Sequence, residues 1–165
     1  MEYIKVKHNF DPVFDQESRI LILGSFPSVK SREQKFFYGH PQNRFWKVLA
    51  AVLETKLPET IEEKKAMLLA NHVALWDVIA SCSIQGSSDT SIRDVVVNDF
   101  SVILEKSPIK RIYVNGGKAY QLYKKYALKE TGIEAIQLPS TSPANAAWSL
   151  ERLIQAWKDI IEIRN

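Results

Sequence analysis

Four short runs of apolar and β-branched residues, at 19–24, 72–77, 111–116 and 133–139, each end on Gly, Pro, Asn or Asp. Such runs, bounded by turn-forming residues, predict strands. Between and after them, apolar residues recur at helical spacing over 43–54, 61–70, 92–105, 118–126 and about 146–163, which predicts helices. Parallel neighbours need long crossover connections, and here the crossovers are helical. The economical fold is therefore α/β: a three-layer α/β/α arrangement with a four-stranded parallel sheet. In open sheets of this kind ligands gather outside the carboxyl ends of the strands, so the loops that follow the strands are where chemistry is expected. The polar stretch 81–91 reads as one long loop, a length that invites a functional reading.

Composition narrows the class. With 165 residues, 45% of them hydrophobic, the chain holds enough apolar surface for one core but not two, so 1–165 reads as a single domain. Lys and Arg number 22 against 19 Asp and Glu, a net charge of +3, which permits a nucleic-acid partner without requiring one. The one cysteine, Cys82, has no partner for an internal disulfide, and no Cys or His pair has zinc-ligand spacing. Neither a metal nor another cofactor is expected. The N-terminal stretch lacks the apolar core of a signal peptide and no run of about eighteen apolar residues exists, so a soluble protein of the reducing cytosol is expected, with no membrane partner.

Two segments carry unusual chemistry. After the first strand come Gly24-Ser25-Phe26-Pro27-Ser28 and then Phe36-Phe37-Tyr38-Gly39-His40-Pro41-Gln42-Asn43-Arg44-Phe45-Trp46. Pro27 and Pro41 stiffen this backbone and Gly24 and Gly39 let it turn. The aromatics are too numerous for an exposed loop unless they line something. Phe45 and Trp46, opening an amphipathic helix, read as core, whereas Tyr38 reads as a wall of a site. After the fourth strand come Leu138-Pro139-Ser140-Thr141-Ser142-Pro143-Ala144-Asn145. A cluster of Ser, Thr and Asn before the last helix suits either plain capping or a phosphate seat at the helix N-terminus. Val114-Asn115-Gly116-Gly117-Lys118 lacks the glycine spacing of a nucleoside-triphosphate loop and reads as a tight strand-to-helix turn. Trp46, Trp76, Trp148 and Trp157 fall at positions consistent with core.

Together, Gly-Ser-Phe-Pro-Ser, His-Pro-Gln-Asn-Arg-Phe-Trp and Leu-Pro-Ser-Thr-Ser-Pro-Ala-Asn resemble the uracil-DNA glycosylase superfamily, and specifically its hypoxanthine-DNA glycosylase branch. The resemblance implies a monofunctional enzyme that hydrolyses the N-glycosidic bond of a deaminated base in DNA, with no cofactor, acting as a monomer. It implies Asn43 as the catalytic residue that positions water. It further implies Tyr38 stacking on a flipped base, Asp77 at the second strand's end reading the base edge, and Phe26 and Ser25 in the base pocket. Ser28, Ser140, Thr141, Ser142 and Asn145 would grip the flanking phosphates. Lys118 would add a backbone or phosphate contact. The ordinary reading of Asn43 is an N-cap, and that of Asp77 a strand-end carboxylate.

Two positions depart from the family pattern. Phe26 stands where the superfamily usually has a water-positioning Asp or Asn, and Ala144 stands where others carry a bulky wedge. A methyl group fills a vacated base stack poorly, so insertion into the duplex falls to Asn145 or is weak. Two alternatives therefore remain open: a glycosylase for uracil or for G·U and G·T mismatches, and a non-catalytic nucleotide- or DNA-binding module.

Overall fold

A computed structural model describes residues 2–85 and 91–161. Its centre is a parallel sheet in the order β3-β2-β6-β7, made of β2 (Ile20–Gly24), β3 (Val73–Asp77), β6 (Arg111–Asn115) and β7 (Ala135–Leu138). All five residues of β2 and of β3 are buried, as continuous apolar strands covered on both faces must be. The register places Gly24 beside Asp77, and Asn115 beside Leu138. The carboxyl ends of the four strands therefore stand level at one edge.

Helices complete the fold. α1 (Val29–Gln34) is capped by Ser28. α2 (Phe45–Leu53) buries seven of its nine residues and packs on α7 (Leu150–Trp157), with Phe45 edge-on to Trp157 at 5.8 Å. α3 (Ile61–Ala70) begins with a reciprocal Thr60–Glu63 capping box, which satisfies amide groups that the first turn leaves unpaired. α5 (Gly117–Leu122) lies against β6 and β7. It continues through a wide π turn at Tyr123–Ala127 into α6 (Leu128–Thr131), ending at Gly132 with φ +69°.

Several expectations need correction. The helix expected at 92–105 is instead β5 (Arg93–Val97) followed by the short α4 (Ser101–Leu104). Three consecutive valines favour an extended chain, and Asp99 takes the Ser101 N–H and hydroxyl to start the helix only afterwards. The first four residues of the loop expected at 81–91 instead belong to β4 (Ile79–Ile84), paired on both sides with β1 (Ile4–Lys7) and β5 in a second, antiparallel sheet; residues 86–90 lie outside the described ones. Small polar side chains disguise this strand because backbone pairing, not apolar content, holds it. The last helix, expected from about 146, starts at Leu150 with Ser149 as its cap, and residues 162–163 of that expectation lie outside the described ones. Ser142 and Asn145 consequently belong to a long loop and not to a helix N-terminus. Trp148 is only half-buried under the Arg152 guanidinium, 4.1 Å above its ring, so it is not core, unlike Trp46, Trp76 and Trp157. No helix among the described residues is long and apolar enough to cross a membrane.

Candidate active site

A cleft of about 220 Å³ opens at the carboxyl edge of the parallel sheet. All four strands contribute to its wall through the segments that follow them: Gly24 to Ser28 after β2, Asp77 from β3, Asn115 from β6, and Ser140 to Pro143 after β7. Phe37, Tyr38 and Asn43 close it from the loop before α2. Of the residues expected to form a site, Asn43, Phe26, Tyr38, Asp77, Ser25, Ser28, Ser140, Thr141 and Ser142 converge here. Asn145 and Lys118 do not. They line an adjoining groove that shares Ser25, Asn115, Ser140 and Ser142 with the cleft.

The placement of Asn43 follows from a chain of hydrogen bonds. Asn115 donates Nδ2–H to the Thr141 hydroxyl at 3.0 Å and accepts the Thr141 backbone N–H at 3.0 Å. The Thr141 hydroxyl, with that acceptance made, donates to Oδ1 of Asn43 at 2.8 Å. The same Oδ1 accepts the Phe45 backbone N–H at 2.9 Å, a donor that identifies this atom as the oxygen. Both lone pairs of the carboxamide oxygen are thus occupied. What Asn43 has left for a ligand is its NH₂. Thr141 is fully buried with its hydroxyl spent inside the protein, which removes its side chain from the phosphate-gripping group expected of this segment.

Arg44 holds the wall to which Thr141 belongs. Its guanidinium donates to the carbonyls of Ser142 at 2.9 Å and Asn145 at 3.1 Å, with further contacts to those of Thr141 and Trp148. Asn145 adds Nδ2–H to the Ser140 carbonyl at 3.0 Å, and Ser142 takes the Ala144 N–H. A planar fork of several donors suits four carbonyls better than an ammonium would. Gly116, at φ +93°, permits the turn beside this wall, because a side chain there would be strained and would stand 3.0 Å from Ser140 Cβ.

At the β2–β3 end the packing is tighter. Tyr38 stacks one ring face on Phe45 at 4.0 Å. It sits at φ +52°, a backbone state that costs a non-glycine residue energy and is met where surrounding structure imposes it. Its hydroxyl is buried and makes no hydrogen bond of good geometry among the described residues, although the Asn115 side chain stands near enough to oppose slightly the upward shift of its pKa. Burial first, and the charge of Asp77 second, push its pKa far above the ordinary tyrosine range, so the phenol stays protonated. Gly24 lets the two approach: a Cβ there would stand 2.5 Å from Asp77 Oδ1 and 2.8 Å from the Tyr38 hydroxyl. Asp77 is buried, and its Oδ2 accepts from His8 Nε2 at 2.8 Å. Phe26 lies beside the His8 ring, 6.3 Å edge-on, and under the Arg32 guanidinium at 5.6 Å.

Ser28 caps α1 by accepting the Ser31 N–H at 3.2 Å, so part of its hydrogen bonding is local. His8, Arg44 and Asn115 were not expected as site residues. Asn115 lay in a segment read only as a turn, and nothing near His8 in the chain points to a partner 69 positions away.

A family model described as the Uracil DNA glycosylase superfamily matches residues 12–161. The chain belongs to the uracil DNA glycosylase superfamily. Its relatives include a protein of Methanosarcina acetivorans named hypoxanthine DNA glycosylase, 38% identical over 149 residues, which span 89% of this chain and 93% of that protein. A second so named, from Methanosarcina barkeri, is 33% identical over 93% of this chain and 96% of its own length. A solution NMR structure from Methanosarcina acetivorans, described as that of a candidate uracil DNA glycosylase, superposes with a TM-score of 0.82 at 34% identity, covering 98% of this chain and 100% of its own. Within the superfamily fold, this chain places Asn43 on the loop before α2 and an aromatic ring, Phe26, on the loop after β2.

Proposed function

We propose that this chain is a monofunctional DNA glycosylase that removes deaminated bases, hypoxanthine foremost, from DNA by hydrolysis. The observation that carries the reading is the Asn115–Thr141–Asn43 chain, which leaves the Asn43 NH₂ oriented and free at a cleft of about 220 Å³. The names of the two Methanosarcina relatives point to the same substrate.

The reaction breaks the bond between the sugar C1′ and purine N9, and the bonding electron pair leaves with the base. The sugar becomes an oxocarbenium cation. Such a cation needs a water in the right place more than a strong base, so Nδ2–H of Asn43 can act by holding the water oxygen toward C1′. Water adds to C1′, its proton passes to solvent, and the departing base takes up a proton in exchange. Ser25, Phe26 and Ser28 line the cleft, and their backbone N–H groups are the donors proposed to meet the negative charge that gathers on the base, since fixed dipoles in a closed site are the larger contribution to rate. No lysine is among the described residues lining the cleft, which supports water as nucleophile and an abasic site as product.

Selection falls to the base-facing groups. The face of Tyr38 turned from Phe45 stacks on the extruded base, worth about 1–3 kcal/mol. Asp77 Oδ1 accepts the N1–H that hypoxanthine has and adenine lacks. Phe26 excludes water from the second side. Ser140, Ser142, Asn145 and Lys118 border the groove along which the flanking phosphates run.

The test is single-turnover cleavage of matched duplexes carrying inosine, uracil, xanthine or a G·T mismatch. Inosine is expected to be cut fastest. Uracil cut faster would move the chain to the uracil and mismatch activities, and tight inosine binding with no abasic product would make it a binding module. Gly24→Ala gives a second expected result. The added methyl pushes Asp77 and Tyr38 apart, so inosine cleavage drops by roughly tenfold or more while stability falls by about 1–3 kcal/mol. An unchanged rate would show that neither side chain needs its present position.

A further inference from the structure

The carboxylate proposed to read the base is itself held by a residue outside the cleft. His8 follows directly on β1, and its Nε2 lies 2.8 Å from Oδ2 of Asp77, with the two side chains 4% and 6% exposed. The imidazole has little room to move. Phe10 lies 4.4 Å and Phe37 6.0 Å from its centre, and the His8 backbone N–H is anchored to the Ala80 carbonyl at 2.7 Å, on β4.

The His8 bond takes Oδ2 and leaves Oδ1 without a hydrogen bond to the described residues; the buried Tyr38 hydroxyl, also without one, stands near it, since a Cβ on Gly24 would lie 2.5 Å from the one and 2.8 Å from the other. A buried donor and an acceptor so placed ordinarily pair, because each is costly when left alone. Rotation of the carboxylate toward Tyr38 would make that bond. It would also break the one to His8.

Resting on the reading of Asp77 as the group that accepts N1–H, we infer that His8 is a positioning residue for base selection. By engaging Oδ2 it fixes the carboxylate plane and keeps Oδ1 open to the base instead of to Tyr38. His8 touches no part of the substrate. The preference for a purine bearing N1–H and O6 then belongs to the His8–Asp77 pair rather than to the carboxylate alone, and it depends on the second sheet, since β1 is held by β4 while Val13 pins the chain beyond His8 to Leu75 of β3.

The experiment compares single-turnover release of hypoxanthine and of unsubstituted purine, which lacks both N1–H and O6, from otherwise identical duplexes. The readout is the ratio of the two rates, with thermal melting to confirm folding. His8→Phe keeps a ring in the aromatic box and removes the N–H; the ratio is expected to fall by roughly tenfold, the discrimination of about one hydrogen bond. His8→Gln, whose amide N–H reaches Oδ2, is expected to recover most of it. Asp77→Asn should lower the ratio too, and the double variant should go no lower than Asp77→Asn, because the two act as a unit. If His8→Phe slows both substrates equally and leaves the ratio unchanged while Asp77→Asn lowers it, His8 is only structural and the inference fails, with Asp77 still reading the base. An unchanged ratio in Asp77→Asn overturns the reading of Asp77 itself. Should His8→Phe not fold, His8→Asn, too short to reach Oδ2, repeats the test with the same expected fall, and an unchanged ratio there overturns the inference.

Discussion

Replacing Asn43 by alanine is expected to lower single-turnover release of hypoxanthine by roughly a hundred- to a thousandfold, the cost of losing one preorganised donor at a reacting centre, with affinity for the inosine duplex nearly unchanged. The two effects separate because the amide helps the transition state more than the bound ground state. The structure sharpens this prediction. Since Oδ1 already accepts from Phe45 and Thr141, the working group is the NH₂, so Asn43→Asp should be nearly as inactive as Asn43→Ala. An active aspartate variant would mean that the water is held through oxygen and that the amide donor is idle. Thr141→Val removes the hydroxyl that orients the amide. It is expected to cost roughly tenfold on its own and almost nothing further in the Asn43→Ala background, because Thr141 acts through Asn43. Additive losses would give Thr141 a role of its own.

Arg44→Ala should be the most destabilising change near the site. It withdraws a charged fork from carbonyls of the loop between β7 and α7, and hydrogen bonds to charged groups each contribute more than neutral ones. The expected loss is about 2–4 kcal/mol, read as a fall in melting temperature of about 5–15 °C for a chain of this size. Excision should collapse along with it, since Thr141 rides on that loop. Arg44→Lys keeps the charge but cannot reach several carbonyls at once, so it should recover less than half of the stability. A phosphate-contacting arginine would behave differently: its loss would weaken DNA binding and lower its salt dependence without moving the melting temperature. That pattern would reassign Arg44 from loop anchor to DNA contact.

The sheet was legible because each of its four strands is written locally, as an apolar run stopped by a turn residue, and buried parallel strands leave no polar alternation to confuse the reading. The position of the cleft followed, since loops at the carboxyl ends of such strands must meet. Asn43 and Asp77 were singled out through the motifs around them, and both line that cleft. β4 was not, because Ile79–Ile84 contains Ala, Ser and Cys and becomes a strand through partners on both sides. β5 was mistaken for helix because its apolar residues also satisfy helical spacing. The polar residues of 140–145 were assigned to a helix terminus since Ser and Asn cap helices well, yet the helix begins only after Ser149.

By itself, then, the order of residues determined the parallel α/β sheet, the edge at which the cleft opens, and which amide and carboxylate line it. The tertiary structure alone decided what those groups are able to do. Thr141 meets Asn43 across 98 positions, Arg44 meets the Trp148 carbonyl across 104, and His8 meets Asp77 across 69. Hydrogen-bond direction and the free atom left on each side chain depend on partners that distant, and partners that distant are chosen by strand order and loop closure, which no local pattern in the chain records.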